Sequence, residues 1–162
     1  MKVNIKNYPN PDGILYKMGM NKEQHISVKI DEWDTSNMDV TLSHIIHPML
    51  VQLKKSDTKG VPVLLEESMD APIQYKTDEE CWEWILGEMI FAFKSKLYDW
   101  ETEFTSGVWD MELKDKIEPG KMEMTEGPNH TYKVDKEGMQ KYRDRVENGY
   151  RLFGKYYDHL WE

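Results

Sequence analysis

The chain predicts an α+β fold, mainly α: a three-helix core over about 36–56, 78–104 and 135–161, with short β segments at the N-terminus and around 108–134. Three observations predict it. Apolar residues recur at helical spacing in three separate stretches. The sequence Thr77-Asp-Glu-Glu80 is a capping box that opens the middle stretch. His25-Ile-Ser-Val-Lys-Ile30 alternates with the period of a strand.

From the N-terminus, Lys2-Val-Asn-Ile-Lys6 alternates weakly, and Asn10-Pro-Asp-Gly13 is a turn signal. Ile14-Leu-Tyr16 is expected to pair as a strand with residues 25–30. Thr35 or Ser36 can cap the first helix, with Asp39 in its first turn. Met38, Leu42, Ile45, Met49 and Leu53 form its apolar stripe, and Pro48 is expected to kink it. Residues 57–76 read as a long connection around Gly60, Pro62 and Pro72. The second helix buries Trp82, Ile85, Met89, Phe93, Leu97, Trp100 and Phe104. Residues 105–134 form a second long connection, acidic and irregular, with strands expected at Val108–Leu113 and His130–Val134. Asp135 caps the last helix, whose seam runs through Met139, Tyr142, Val146, Gly149, Phe153, Tyr157 and Leu160.

A chain of 162 residues is one domain by length, here with residues 1–32 as a small β appendage. At 39% hydrophobic and 12% aromatic residues it has the material for a packed core, which excludes a disordered tail. Its single cysteine, Cys81, excludes an internal disulfide and suits a reducing cytoplasm. The polar start does not resemble a signal peptide, and no apolar run approaches the roughly 18 residues of a membrane span.

The net charge of −9 is unevenly placed. Residues 57–126 carry seven lysines against eighteen acids, whereas residues 135–162 carry six charges of each sign. Such a surface argues against nucleic acid as a partner, because phosphates need a positive footprint. A solvated acidic face explains most of the imbalance, and a DNA-mimicking face is the sharper alternative.

All three arginines fall within Arg143-Asp-Arg-Val-Glu-Asn-Gly-Tyr-Arg151. Arginine offers a planar fork of donors that matches carboxylate and phosphate edges, which lysine lacks. On a helical projection Arg143 and Arg145 flank the seam, where they can clamp carboxylates such as Glu83 or Glu88 on the second helix. Asn148, Arg151 and Lys155 share the opposite side and could hold an anionic ligand. Asn148-Gly149 in mid-helix is costly for stability alone, which favours the second reading.

Other constellations carry less. His44 and His47 stand three apart on a helix, without a third ligand for a metal. Glu79, Glu80 and Glu83 followed by Glu112 and Asp115 resemble the acidic pattern of MazG-type nucleotide pyrophosphatases, but the second half falls outside a helix. Asn129 and His130 in Gly127-Pro-Asn-His-Thr131 are either ligand contacts or turn chemistry. Phosphate-cradling glycine loops, nucleophile elbows and zinc spacings are absent from the sequence, so it supports neither an enzyme nor a cofactor.

Several stretches taken in order are more specific. They are Trp33-Asp-Thr-Ser-Asn-Met-Asp-Val-Thr-Leu42, Pro48-Met-Leu50, Glu88-Met-Ile-Phe-Ala-Phe93, Gly127-Pro-Asn-His-Thr131, Asn148-Gly-Tyr-Arg-Leu-Phe-Gly-Lys-Tyr-Tyr157 and Leu160-Trp161. From about residue 33 onward the chain resembles a widespread family of small tailed-bacteriophage proteins. The resemblance carries over no catalytic residue. It implies a phage protein in the host bacterial cytoplasm that acts by binding. The expected function is a non-catalytic anti-defence protein that sequesters a nucleotide-type signal. Asn148, Arg151 and Lys155 would meet the phosphates, with Arg145, Asn129 and His130 at the edges. Trp33, Tyr132 or Tyr156 would stack on the base, in a site shared within a homo-oligomer. The alternative partner is a host protein, met by the acidic stretch 99–126, with the phage protein acting as an inhibitor or as an accessory virion factor.

Overall fold

The structure, a computed structural model, describes residues 1–6, 14–19, 24–63, 71–72, 75–115 and 122–161. The chain forms two units, Met1–Leu42 and Ser43–Glu162. The fold is α+β and mainly α, with three long helices and short antiparallel strands.

In the first unit β1 (Lys2–Ile5) pairs antiparallel with β2 (Ile26–Lys29), in the register Lys2↔Lys29 to Ile5↔Ile26. The expected partner of β2, Ile14–Tyr16, lies instead in a single helical turn, α1 (Ile14–Lys17). The weakly alternating segment 2–5 takes the pairing because its Val3 and Ile5 match Val28 and Ile26 on one face. The turn expected at Asn10–Gly13 lies outside the described residues. A capping box also forms here, built on Asp in place of the usual Ser or Thr. The Asp31 side chain accepts from Trp33 N–H, and Asp34 accepts from Asp31 N–H at 2.7 Å. It opens a 3-10 turn, Glu32–Thr35, ahead of α2 (Met38–Lys55). Thr35 is thus inside that turn, bonded to the Glu32 carbonyl, rather than capping the long helix. α2 runs unbroken through Pro48.

In the second unit, α3 (Asp78–Ser95) starts where predicted, but only the Thr77 half of the expected capping box is seen, because Glu80 accepts from Lys76 N–H at 2.8 Å. Thr77 Oγ1 accepts from Glu80 N–H at 3.1 Å, and Asp78, Glu79 and Glu80 oppose the positive end of the helix. It ends nine residues earlier than its apolar period suggests. Beyond Lys96 the chain turns back, and Trp100–Phe104 forms a 3-10 segment. Trp100 there stacks on Tyr142 at 4.2 Å, and Phe104 meets the same ring edge-on. The spacing of Trp100 and Phe104 thus records half-buried rings packed on Tyr142, met from a different direction.

α4 (Lys136–Lys155) is capped by Asp135, which accepts from Gly138 N–H at 2.9 Å. Its seam packs against α3 so closely that a Cβ on Gly149 would lie 2.4 Å from the Glu88 carbonyl oxygen and 2.5 Å from Ala92 Cβ. Trp82, Leu86, Met89 and Leu152 are fully buried at this contact, joined by Leu50 of α2 and by Tyr156. Trp82 meets Tyr156 edge-on at 5.7 Å, and its indole N–H has no hydrogen-bond partner among the described residues. Cys81 is buried in the same cluster. Burial pushes its thiol up, and Asp78 and Glu80 add to that, so it is a poor nucleophile. No helix among the described residues is long and apolar enough to cross a membrane.

Candidate functional site

The structure brings together part of the predicted anion site, Asn148 and Arg151 with Lys155 one turn on, and gives Arg145 another partner. Arg145 gives its fork to Glu88, with Nε at 2.9 Å from one carboxylate oxygen and Nη2 at 2.7 Å from the other. The guanidinium lies 3.8 Å from the centre of the Phe91 ring. The Glu88 side chain is only 9% exposed, so the pair is a partly buried clamp between α3 and α4. The hydrogen bonds to Glu88 hold the guanidinium above its ordinary value, against burial. Arg143 reaches Glu101 at 3.1 Å and lies over Trp100, on the 3-10 segment rather than on α3 itself.

Arg151 does share the outer face of α4 with Asn148, donating to its Oδ1 from Nε and Nη2 at 3.1 and 2.9 Å. Lys155 follows one turn on, with Nζ 5.2 Å from the Tyr156 ring. Tyr156 itself is 5% exposed in the core, so its faces are closed to a base. Trp33 is 76% exposed in the first unit. His130 and Asn129 belong to the other end of α4. Asp135 N–H bonds to the Phe104 carbonyl at 2.8 Å, five residues after His130. Arg151 stands fifteen residues beyond Lys136, about 22 Å along the axis.

Asn129 and His130 instead build a β-ribbon over residues 105–134. Its base is β3 (Thr105–Ser106) paired with β6 (Lys133–Val134). Its outer part is β4 (Met111–Asp115) paired with β5 (Met122–Glu126), in the register Met111↔Glu126, Leu113↔Met124. Thr131 links the two parts. Its N–H bonds to the Val108 carbonyl at 3.0 Å, and its hydroxyl accepts from Val108 N–H at 3.0 Å. Gly107 sits opposite at φ 85°, where a Cβ would come within 2.2 Å of the Thr131 oxygen. The four residues Gly127–His130 bulge around Asp110. Its carboxylate accepts from Asn129 N–H at 2.9 Å, and its carbonyl accepts from Gly127 N–H at 2.9 Å. His130 Nδ1 lies 2.8 Å from that same carbonyl and 3.3 Å from Asp110 N, so it donates to the carbonyl in one tautomer and accepts from the N–H in the other.

The expected strands at 108–113 and 130–134 overlap β4 and β6. β4 pairs with β5, a strand not among those expected. Its signal is the alternation Met122-Glu-Met-Thr-Glu126. Because strand side chains alternate and opposite residues share a face, Met111, Leu113, Met122, Met124 and Glu126 fall on one face, and Glu112, Lys114, Glu123 and Thr125 on the other. No further strand joins this sheet among the described residues. Leu113, Met122 and Met124 are 59–61% exposed. Trp109, held edge-on against Tyr132 at 4.9 Å and His130 at 5.6 Å, leads into β4 and is 62% exposed.

A shallow groove of about 540 Å³ lies along α3, beside Trp84, Tyr75 and Gly87. Of the charged groups at its walls, Glu88 is held by Arg145, Glu83 by Lys54 and by Lys59 at 2.8 Å, and Glu80 accepts from Lys76 N–H at 2.8 Å. Of the acids that resemble a pyrophosphatase pattern, Glu79, Glu80 and Glu83 are on α3 and Glu112 is on β4. Among the described residues no three His, Cys, Asp or Glu side chains gather as metal ligands. Comparison of the chain with models of protein families, with curated proteins and with solved structures finds no match.

Proposed function

We propose that the protein acts by binding another protein, through the apolar face of the β4–β5 ribbon within its acidic middle stretch. The observation that carries this is Leu113, Met122 and Met124, left more than half exposed on a sheet that has two strands among the described residues. A two-stranded sheet whose apolar side chains stay exposed is marginal in water. Each such side chain gains about 1.5–3 kcal/mol when fully covered. Methionines adapt to irregular partner surfaces, and the excess of acids over residues 57–126 favours a basic partner and speeds its encounter. With the phage resemblance, this describes a non-catalytic inhibitor of a host protein, working in the bacterial cytoplasm.

The test is the double variant Leu113→Asp, Met124→Asp. The partner captured by the parent protein is identified, purified and titrated against both forms. At about 2 kcal/mol for each central contact, affinity should fall a hundredfold or more, with an unchanged circular dichroism spectrum. Equal affinity of the two forms would exclude the ribbon face.

The nucleotide reading has a separate test. Melting is followed with linear and cyclic nucleotides and ADP-ribose derivatives. A ligand at 100 times its Kd would add about 2.7 kcal/mol, several degrees for a domain of this size. Protein binding through the ribbon predicts no such shift. A shift that disappears in Arg151→Ala, Lys155→Ala would move the function to α4.

A further inference from the structure

We propose that the polar face of the β1–β2 ribbon binds double-stranded DNA, with its lysines on the phosphates that wall a major groove. This goes beyond the protein-binding reading and does not depend on it. The net charge of −9 describes the whole chain, but residues 1–30 carry five lysines against two acids. The register then sorts the side chains. Lys2↔Lys29 and Asn4↔Ser27 are opposite pairs, and the bond from Lys6 N–H to the His25 carbonyl at 3.1 Å carries the ladder one pair further. Because strand side chains alternate and opposite residues share a face, Lys2, Asn4, Lys6, His25, Ser27 and Lys29 stand together. Val3, Ile5, Ile26 and Val28 take the other face.

All six polar residues are exposed. Among the described residues none of Lys2, Lys6, His25 and Lys29 has a carboxylate partner. Lys2 and Lys29 stand directly opposite each other, and like charges so placed weaken a ladder unless an anion lies between them. Of the acids just after β2, Asp34 holds the N-terminal amine and accepts from Asp31 N–H, and Asp31 accepts from Trp33 N–H. The dimensions suit duplex DNA. Lys2 and Lys6 stand about 13 Å apart along β1. A B-form major groove is about 12 Å wide and admits a two-stranded ribbon. With the polar face toward it, Lys2 and Lys29 meet one phosphate wall and Lys6 and His25 the other. Asn4 and Ser27 then lie over the base edges, which donate and accept hydrogen bonds. A second copy of the chain fits less well. In its acidic stretch Glu83, Glu88, Glu101 and Glu112 already hold cations.

The probe is a short fluorescein-labelled DNA duplex of mixed sequence, followed by fluorescence anisotropy with the whole protein at low salt. With three lysines on phosphates, the logarithm of affinity should fall against the logarithm of salt with a slope of about −2.7, or about fortyfold between roughly 50 and 200 mM. Lys29→Gln should reduce that slope by about 1. Lys2→Glu sets opposite charges across the ladder and so steadies the ribbon, yet it should weaken binding at least tenfold. Lys136→Glu, the same change of charge at the start of α4, should alter binding less than threefold. No anisotropy change up to about 100 µM protein at low salt would overturn the proposal. A slope near zero, or equal weakening by Lys2→Glu and Lys136→Glu, would do the same. Competition by poly-glutamate as strong as that by unlabelled duplex would give the face to an acidic protein surface instead. Equal affinity for duplex RNA, whose major groove is too narrow for the ribbon, would remove the groove from the proposal and overturn it. Self-association at low salt that Lys2→Glu abolishes would overturn it too, by giving the face to a second copy.

Discussion

Replacing Gly149 with leucine should cost the fold about 4 kcal/mol or more, a large part of its stability. The position is where α3 and α4 come closest, and the obstacle is backbone as well as side chain. A Cβ there would stand 2.4 Å from the Glu88 carbonyl oxygen and 2.5 Å from Ala92 Cβ. A carbonyl in mid-helix cannot rotate away, so the two helices must part. Parting them opens the contacts of Trp82, Leu86, Met89 and Leu152, all fully buried. Overpacking by a few methylenes costs about 1–3 kcal/mol in a core that can adjust. Here the whole seam moves, and a loss of about 4 kcal/mol or more is expected against a total stability of roughly 5–15 kcal/mol. Gly149→Ala should already destabilise by about 1–3 kcal/mol, although alanine gains up to about 1 kcal/mol in helix propensity. Gly154, five residues later on α4, has nothing within 4 Å of its Cβ position. Gly154→Ala should therefore change stability by less than about 1 kcal/mol, in the favourable direction. Urea titrations of the three variants check the order. Opposite signs for the two alanine substitutions separate close packing from propensity.

That glycine also shows where the sequence is legible and where it is not. The α3–α4 seam is readable because Trp82, Ile85, Met89 and Phe93 obey one local period, and Gly149 falls within the matching period of α4. The reason for a glycine there is not readable. Asn148-Gly149 looks too costly for a plain helix and points toward ligand binding, yet the missing Cβ serves helix contact. The end of α3 is obscured for a related reason. Leu97, Trp100 and Phe104 continue the helical period, but the chain turns after Lys96 and brings Trp100 onto Tyr142 from another direction. Periodicity records which residues are buried, not the path by which they reach the core. The ribbon is harder still. β4 and β5 are each five residues long, and their pairing is set by non-local register. Only the alternation within each strand is local, and alternation does not name a partner. Of the expected ligand residues, the local group Asn148–Arg151 does lie together. The set that requires Arg145, His130, Trp33 and Tyr156 to meet it depends on tertiary placement, which no spacing rule supplies.

Arg145→Ala should cost about 2–3 kcal/mol, the largest effect among the three arginines. The substitution leaves the Glu88 carboxylate, 9% exposed, without its two-pronged partner and removes the cation from the Phe91 face. Breaking a fully buried pair in this way costs about 3–5 kcal/mol. Half of the Arg145 side chain is exposed, so water reaches the vacated site and offsets part of the loss. Arg145→Lys keeps the charge but loses the fork, and should fall about midway. Glu88→Gln should recover stability in the Arg145→Ala background, because a buried amide is less costly to leave unpaired than a carboxylate. Arg143→Ala, which breaks an exposed pair with Glu101, should cost under about 1 kcal/mol. A double-mutant cycle over Arg145 and Glu88, read from urea midpoints, measures the coupling directly. If Arg145→Ala instead unfolds at the parent midpoint and abolishes binding of a nucleotide, the arginine is a ligand group and Glu88 only its resting place. If the cycle shows strong coupling and partner binding survives once the folded fraction is accounted for, arginine stands here because lysine cannot hold one carboxylate with two parallel bonds across a helix seam.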